Sequence, residues 1–530
     1  MKKILLLTTL LVAGLTTLSA ANQQGINFYE VGDYVKAKSL FLSSSQDAMD
    51  SYYLGEIYFK ENKKDSAQYY YNKGLQIDPE NVMNTIGIYK VQLATTPTAN
   101  DALNKLSKDR KYKKNASVLT AIASAYADNK KFNEAMDFIE KAIKADKKFP
   151  PSYLLQGDVL LAQGNSGEAA ASYENAIYFD PNYKASYIKL AKLYENIKTQ
   201  VAMDYLRKVV ETDPTYAPGF SALGEIAYRK GFYPEALSSY ESYMKLITPT
   251  PVEFAQYAEI LFFNGKYQET LNAIAKAKSS FVTERLKMYS QFQLGDFAAA
   301  LETAEKFFNT TNKKDIISQD YTYYAQILTN QKNFAKAGEI YAAAFDVDTT
   351  KNVTNLRKAA SSFEKADDYA NAAKYYEKVF EFEPEYSLAD LYSVGTTYYT
   401  AGTQTKALEA TPEADKAKKQ ALLKKADEYF KIMTEKFPDH YLGYLMRARA
   451  NFAIDPTAEE GLAKPYYEKA IEVMMPNKEE RKNDILESYR YLGFYYLGQD
   501  QAELAKSYWN KVLEIDPTDE TALQVINALK

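Results

Sequence analysis

The sequence lacks cysteine, and its 530 residues include a single histidine, His440, and a single tryptophan, Trp509. Without cysteine the chain has no disulfide, no thiolate metal ligand and no cysteine nucleophile. His440 follows Pro438 in a predicted turn, where an exposed polar residue is the usual occupant. One histidine without cysteine makes a poor transition-metal site. We therefore predict no metal.

Long apolar runs are also scarce, because the only one lies at the N-terminus. Lys2 and Lys3 precede the apolar stretch 4–18, which contains four threonines and is short for a bilayer span. Small residues follow at Ala20 and Ala21. The pattern predicts a signal peptide over residues 1–21 and a mature chain with no transmembrane segment.

Motifs of enzymes and nucleic-acid binders are missing as well. Loss of the two N-terminal lysines moves the formal net charge from −4 to −6, which gives no electrostatic case for nucleic acid. The chain has no Gly-rich phosphate loop and no Gly-x-Ser-x-Gly elbow. Its carboxylates fall mostly at solvent-facing helix positions or in turns. We predict no catalytic residues, no cofactor and no enzyme activity.

What fills the chain is a repeat of thirty-odd residues. A small residue is followed twelve positions later by alanine, and four positions after that by an aromatic. Each unit has helical spacing of apolar residues in two blocks, and the second block often ends before proline. Such a period predicts stacked helical hairpins rather than one globular centre. Clear instances are Gly55/Ala67/Tyr71, Gly157/Ala169/Tyr173, Gly224/Ala236/Tyr240 and Gly493/Ala505/Trp509.

These units resemble the tetratricopeptide repeat. That family has aromatics early and late in its first helix, as at Tyr153 and Tyr58, and a proline after its second helix, as at Pro79. The resemblance implies an all-α, right-handed superhelical solenoid. The second-helix positions are Ala37, Ala67, Ala102, Ala135, Ala169, Ala202, Ala236, Thr270, Ala300, Ala337, Ala372, Ala426, Ala463 and Ala505.

The domain organisation follows from this register. About fourteen units span 22–519, and a capping helix over 520–530 covers the last apolar face. The unit near 82–115 is degenerate. An insert near 401–420 extends the helices or forms a loop.

In the resembled family the first helix of each unit lines a concave groove, at positions set by its small residue. Among the groove positions that the resemblance implies, the acids lie mainly in the N-terminal half and the arginines in the C-terminal half. The groove is therefore either electrostatically polarised along its length or simply lined by solvated charges of both signs. Tyr, Phe and Arg are frequent binding hot spots. The candidate groove residues are Tyr52, Glu56, Phe59, Glu225, Tyr228, Phe262, Arg285, Tyr289, Phe292, Arg357, Tyr392, Tyr399, Arg449, Phe452, Arg490 and Phe494.

The resemblance implies a non-enzymatic scaffold that binds protein or peptide segments. No unit carries the Lys–Asn pair with which some members hold a chaperone tail. The Lys-Lys start and the Tyr/Lys/Asn-rich composition are typical of a Gram-negative bacterium such as the Bacteroidetes. We therefore expect a periplasmic protein of envelope assembly or secretion, associated with the outer membrane through a partner.

The alternative is a glycan- or peptidoglycan-binding envelope protein. Exposed, coplanar tyrosines at Tyr392 and Tyr399 would favour glycan, and aromatics in separate pockets would favour peptide.

Overall fold

The computed structural model describes residues 22–44, 47–404 and 412–529, and their regular structure is entirely helical. The predicted signal peptide and residues 405–411 of the predicted insert lie outside these segments. None of the helices described combines the length and the apolar character that a membrane crossing requires.

The chain divides into two compact units, Met1–Lys278 and Ser279–Lys530. Unit 1 is a series of eight antiparallel helical hairpins in its described residues. Its helices are α1 (22–30), α2 (Tyr34–Ser43), α3 (Ala48–Lys60), α4 (Lys64–Ile77), α5 (Val82–Gln92), α6 (Pro97–Lys108), α7 (Ala116–Asp128), α8 (Phe132–Ala145), α9 (Pro150–Ala162), α10 (Ser166–Phe179), α11 (Lys184–Tyr194), α12 (Thr199–Thr212), α13 (Ala217–Arg229), α14 (Tyr233–Leu246), α15 (Pro251–Phe263) and α16 (Tyr267–Ile274).

Unit 2 continues with six hairpins and one closing helix in the part of it that the structure describes. The odd-numbered helices of both units are the first helices of their hairpins and are called A helices below. Unit 2 contains α17 (Phe281–Gln293), α18 (Phe297–Thr310), α19 (Ser318–Asn330), α20 (Phe334–Val347), α21 (Thr354–Lys365), α22 (Tyr369–Phe382), α23 (Leu388–Gln404), α24 (Pro412–Lys436), α25 (Tyr441–Ile454), α26 (Lys464–Met474), α27 (Lys482–Gly498), α28 (Ala502–Ile515) and α29 (Glu520–Ala528).

The predicted all-α repeat architecture of about fourteen hairpins is thereby confirmed. Within a hairpin, the turn often holds one residue of positive φ. Gly231 has a φ of 79°, and Asn62 takes the same conformation at 60°. The next residue's amide closes the turn, as where Phe232 donates to the Ala227 carbonyl at 2.8 Å. This left-handed residue satisfies carbonyls at the end of the first helix and reverses the chain.

The repeating alanines lie at the helix contacts of the core. Ala67, Ala169 and the other assigned alanines, together with Thr270, have no exposed surface, with one exception. The exception is Ala102, which is only half-buried, whereas Ala99 is fully buried. Because α6 begins at Pro97, Ala99 occupies the first-turn position that the alanines hold in most other hairpins.

The repeating glycines contact the aromatic ring of the second helix more closely than they contact the alanine. A Cβ on Gly157 would lie 2.3 Å from the Tyr173 ring, and one on Gly493 would lie 2.7 Å from the Trp509 indole nitrogen. The glycine therefore makes room for a buried ring, which explains why small residue and aromatic recur together.

The first hairpin of unit 1 packs against helices that follow it by about two hundred residues. Phe28 is buried and meets the Tyr243 ring edge-to-face at 6.4 Å between centroids. The buried ammonium of Lys36 donates to Glu253 at 3.1 Å. Hairpin α1–α2 therefore covers the inner surface that the A helices of unit 1 would otherwise leave open.

Candidate functional site

The groove residues predicted in α3 are buried beneath this first hairpin. Tyr52, Glu56 and Phe59 each have less than a tenth of their surface exposed. Glu56 accepts hydrogen bonds from the Tyr29 hydroxyl of α1 at 3.2 Å and from the Lys90 ammonium of α5 at 2.7 Å. In this conformation the three side chains hold the unit together and have little surface left for a partner.

One cavity lies beside the first hairpin of unit 1. A cavity of about 230 Å³ is lined by A helices α3, α5, α7, α9 and α11 and by the first hairpin, with Tyr52 and Asp158 among its walls. This volume lies below the usual range for ligand pockets, about 300–1,000 Å³.

Three predicted groove residues near the end of unit 1 are half-buried and engaged with neighbours. The Tyr228 hydroxyl donates to Glu259 at 3.1 Å, and burial raises the pKa of Tyr228, with Glu259 adding to the effect. Glu225 accepts from Ser221 at 3.1 Å. Phe262 packs edge-on against Phe263, with 5.6 Å between the ring centroids. Part of each side chain still faces solvent.

In unit 2 each predicted groove arginine pairs with an acid on the next odd-numbered helix or, for Arg490, at the N-cap of the closing helix α29. Arg285 of α17 makes a bidentate contact with Asp320 of α19, at 2.7 and 2.8 Å, and the Asp320 carboxylate is fully buried. We call such a contact an A-helix clasp. The other clasps of arginines predicted in the groove are Arg357–Asp390, Arg449–Glu487 and Arg490–Asp519.

Unit 1 carries related contacts with the acid on the earlier helix. Asp158 of α9 pairs with Lys189 of α11 at 3.0 Å, and Glu195 at the end of α11 pairs with Arg229 of α13 at 2.7 Å. Because many charges on this surface have a counter-charge one hairpin away, opposite signs alternate locally, which moderates any field along the groove.

Tyr289 and Phe292 of α17 take part in packing between hairpins. Tyr289 is buried, donates to Asp320 at 2.6 Å and stacks on Tyr323 at 3.8 Å between centroids. Phe292 meets the same Tyr323 ring edge-to-face at 5.3 Å. Burial raises the pKa of Tyr289, and the neighbouring Asp320 carboxylate adds to the effect.

At the C-terminal end of unit 2 five predicted groove residues come together. A cavity of about 820 Å³, here called the C-terminal pocket, is lined by Tyr399, Arg449, Phe452, Arg490 and Phe494 among others. Phe452, Arg490 and Phe494 keep 37%, 43% and 47% of their surface exposed, respectively. These exposures make the pocket a place where side chains remain available for contact.

Three large aromatic side chains form buried parts of the same wall. Tyr467, Tyr491 and Trp509 line the pocket while remaining almost fully buried. The Tyr467 hydroxyl donates to Glu487 at 3.0 Å. Since Glu487 also receives Arg449, the wall is held by an ion pair and a hydrogen bond as well as by packing.

The two remaining predicted residues, Arg357 and Tyr392, do not line this pocket. Arg357 clasps Asp390, and Tyr392 is exposed on α23, two helical turns before Tyr399. The structure therefore separates these two tyrosines, since only Tyr399 belongs to the pocket lining.

Lys419 also lines the pocket and was not among the groove residues predicted from the sequence. Helices α23 and α24 have 17 and 25 residues, against 13 or 14 in most other helices of the unit, and the extra length of α24 carries Lys419 to the pocket wall. The irregular spacing after Gly395 signalled that α24 is unusual, but repeat register alone could not say which residue it presents.

His440 lies at the start of α25 with its ring stacked on Tyr441, 5.5 Å between centroids. Over 22–44, 47–404 and 412–529 no group of three histidine or carboxylate side chains is arranged to hold a metal ion.

The fold defines an all-α helical-repeat scaffold. Models of the tetratricopeptide repeat match residues 49–81, 116–149 and 150–183, which are hairpins α3–α4, α7–α8 and α9–α10. The chain belongs to the tetratricopeptide repeat family, and its fold is one that mediates protein–protein interaction.

The curated proteins that resemble this chain have low sequence identity to it. The BBSome complex member BBS4 of Bos taurus is 22% identical, over 48% of this chain and 52% of its own length. The mitochondrial import receptor subunit TOM70 of Homo sapiens is 21% identical, over 54% of this chain and 44% of its own length. The chain thus spans about half the length of the curated relatives it matches.

Among solved structures, the C-terminal part of a TPR repeat-containing protein from Cytophaga hutchinsonii is 30% identical. The match covers 51% of this chain and 99% of that chain, with a TM-score of 0.38.

Proposed function

We propose that the chain is a non-enzymatic scaffold that binds a segment of a partner protein in the C-terminal pocket. The observation that carries the proposal is the exposure of Phe452, Phe494 and Arg490 around one cavity of about 820 Å³. That volume falls within the usual range for ligand pockets. Aromatic and arginine side chains at the centre of a concave surface are typical of binding hot spots.

The wall behind these side chains supports a rigid site. Phe452 packs against the buried Tyr491 ring at 5.3 Å between centroids, and Tyr491 meets Tyr467 at 4.6 Å. Because the buried rings and the Arg449–Glu487 clasp hold the wall, a bound segment would lose little free energy to ordering the site.

The proposed place of action is the periplasm, in envelope protein assembly or secretion, with outer-membrane association through a partner. Support comes from the N-terminal pattern of lysines, apolar run and small residues at 1–21. N-terminal sequencing of the cell-derived protein after fractionation tests this. A start near Ala21 or Asn22 in the periplasmic fraction is expected, and a chain that retains Met1 in the cytoplasm contradicts it.

The relatives named above include a complex member and a receptor subunit, and both descriptions fit a protein-binding role. The glycan alternative receives less support. Tyr399 faces the pocket, whereas Tyr392 lies outside its lining, so the two do not form one stacking surface there.

The test compares three forms of the mature chain in affinity capture from an envelope extract. The pocket variant is F452A/F494A, and the control is Y178A, which removes a 77% exposed aromatic from α10 in unit 1. Tyr178 is largely exposed, so Y178A should keep the wild-type thermal unfolding midpoint. Phe452 and Phe494 are more than half buried, so the pocket variant should unfold at a lower temperature, and capture is carried out well below the midpoints of all three forms.

We expect a defined set of proteins to be retained by the wild type and by Y178A, and reduced at least tenfold with the pocket variant. Equal capture by all three forms contradicts the proposal. Purified peptidoglycan is assayed in parallel, and pocket-dependent retention of peptidoglycan in place of proteins would favour the glycan alternative.

A further inference from the structure

The cations around the C-terminal pocket differ in how they are neutralised. Arg449 is paired with two carboxylates, Glu487 with Nη2 to Oε2 at 2.7 Å and Asp484 at 3.2 Å. Arg490 is clasped by Asp519. The third cation of the lining, Lys419, is half-buried and has no ion-pair partner in the part of the chain that the structure describes. The pocket wall therefore holds one ammonium that makes no direct ion pair among the described residues.

The acidic side of the lining is weaker than the basic side. Glu487 is its only carboxylate among the residues described, and that carboxylate already receives Arg449 and the Tyr467 hydroxyl. Both arginines of the lining are already paired, so Lys419 is its one unpaired charge among the described residues, and an incoming cation would find no unpaired acid there. An incoming anion would pair directly with Lys419. An incoming cation would be repelled by the same ammonium, because like charges placed together oppose binding.

The apolar part of the pocket adds a second requirement. Phe452 and Phe494 are exposed beside the buried Trp509 and Tyr491 rings, so a large apolar or aromatic side chain placed there would remove apolar surface from water. A purely acidic segment would leave this surface hydrated.

We infer that the segment bound in the C-terminal pocket is an acidic one, with a carboxylate that pairs with Lys419 beside an aromatic or large aliphatic side chain that packs on Phe452 and Phe494. This inference rests on the proposed function and adds the chemistry of the ligand. The occupant is a peptide segment of a partner protein.

The experiment is selection from a random twelve-residue peptide library displayed on phage, with the mature chain as bait and the F452A/F494A variant as counter-bait. Expected winners carry Asp or Glu within two residues of Phe, Tyr, Trp or Leu. Pocket-dependent winners that are basic or uncharged overturn the inference but leave the proposed function standing. Absence of any pocket-dependent enrichment overturns both.

A matched pair of variants then tests whether Lys419 itself pairs with the bound segment. The winning peptide, labelled with fluorescein, is titrated by fluorescence anisotropy against K419E and against K418E, which makes the same charge change at an exposed neighbour on α24 outside the pocket lining. We expect K419E to weaken binding at least tenfold and K418E to change it less than threefold. Equal effects of the two variants would show that only net charge matters, and would overturn the role given to Lys419.

Discussion

At the scale of single residues, the fold depends on glycines whose lack of a Cβ leaves room for a buried aromatic ring. Gly157 faces the buried Tyr173 ring so closely that a methyl group has no room, whereas Gly224, at the same place in its own hairpin, has ordinary space. The two glycines look identical in the repeat pattern. Their difference is therefore a matter of three-dimensional packing that the pattern does not contain.

Replacement of Gly157 by alanine should lower the free energy of unfolding by about 1–3 kcal/mol, because its Cβ would lie 2.3 Å from the Tyr173 ring and force the ring to move. Gly224→Ala is the control, since the nearest atom to its Cβ would be 3.4 Å away in the Tyr240 ring. It should be neutral or stabilising by up to about 1 kcal/mol, because alanine favours the helix. Urea unfolding followed by circular dichroism measures both, and equal losses would contradict the account.

The clasps are a second residue-scale feature. Arg285→Ala should cost about 2–4 kcal/mol, because it removes two charge-assisted bonds from the fully buried Asp320 and leaves only Tyr289 and the Ile317 amide as donors. Urea unfolding again provides the measurement.

The control for Arg285 removes a cation from the same hairpin. Lys306 is more than half exposed and pairs with Glu284 at 3.0 Å, and exposed pairs contribute little. Lys306→Ala should change stability by less than about 1 kcal/mol. A cost at Arg285 no larger than that at Lys306 would show that the clasp is only a surface ion pair.

Much of the residue-level fold is predictable from the sequence, and the candidate site is less so. The buried alanines follow from helical periodicity, which is a local property. The partner of Arg285 lies 35 residues away on another helix, and no local pattern identifies it. Nor does the pattern tell that Tyr52 and Glu56 are covered by hairpin α1–α2, since that hairpin has the same repeat signature as the rest.

At the scale of elements, the turns within hairpins carry conformational strain that varies from one hairpin to the next. Gly231 takes the left-handed conformation freely, while Lys130 and Lys332 take it with a side chain, at φ of 60° and 59°. For L-residues with a Cβ this conformation is unfavourable by roughly 1–2 kcal/mol. The same turn geometry is therefore achieved at different energies along the chain.

Gly231→Ala should destabilise unit 1 by about 1–2 kcal/mol through the backbone alone, because no atom lies within 4 Å of the added Cβ. Gly167→Ala makes the same change within helix α10, where the added Cβ is also in open space, and should stabilise by a few tenths to about 1 kcal/mol. Thermal unfolding by calorimetry distinguishes the two signs. Loss of stability in both variants would argue against a purely conformational origin.

Also at this scale, the irregular hairpin α23–α24 shows what a departure from the repeat can do. The additional turns of α24 place Lys419 beside A-helix residues that the repeat already positions. A longer second helix thus adds a side chain to the pocket without disturbing the buried Ala426 and Phe430 that keep α24 in register.

At the scale of the whole molecule, the two units use their inner surfaces differently. Unit 1 covers its A helices with its own first hairpin, through Phe28, Lys36 and Glu30. Unit 2 keeps a large pocket open at its C-terminal end. The sequence repeat is the same in both units. The difference between their inner surfaces therefore comes from contacts between hairpins that are far apart in the sequence.

Closure of unit 1 should depend on pH through Glu30. This half-buried carboxyl accepts from the Tyr183 hydroxyl at 3.0 Å, and burial raises its pKa from 4.5 to about 7, although the hydrogen bond lowers it. Since the folded state holds the proton more tightly, this contribution to stability is complete below about pH 4.5 and is lost as pH rises through about 7.

Glu30→Gln should remove that dependence. Because the other acids titrate in both proteins, the measured quantity is the difference in unfolding free energy between wild type and variant. We expect this difference to shift in favour of the variant by on the order of 1–3 kcal/mol between pH 4.5 and 8. A difference that stays constant across this range would show that Glu30 does not titrate with folding.

The contact between the first hairpin and the end of unit 1 also has a consequence for how the chain matures. Gln24 hydrogen-bonds the Leu246 carbonyl, a separation of 222 residues, whereas folding of repeat proteins ordinarily proceeds between neighbours. At roughly 5–20 residues per second, a ribosome needs on the order of 10–45 seconds to make the intervening chain. During that interval the apolar side of the N-terminal hairpin has no final partner. Unit 1 can therefore close only once the chain is available as far as Glu253, about halfway along its 530 residues.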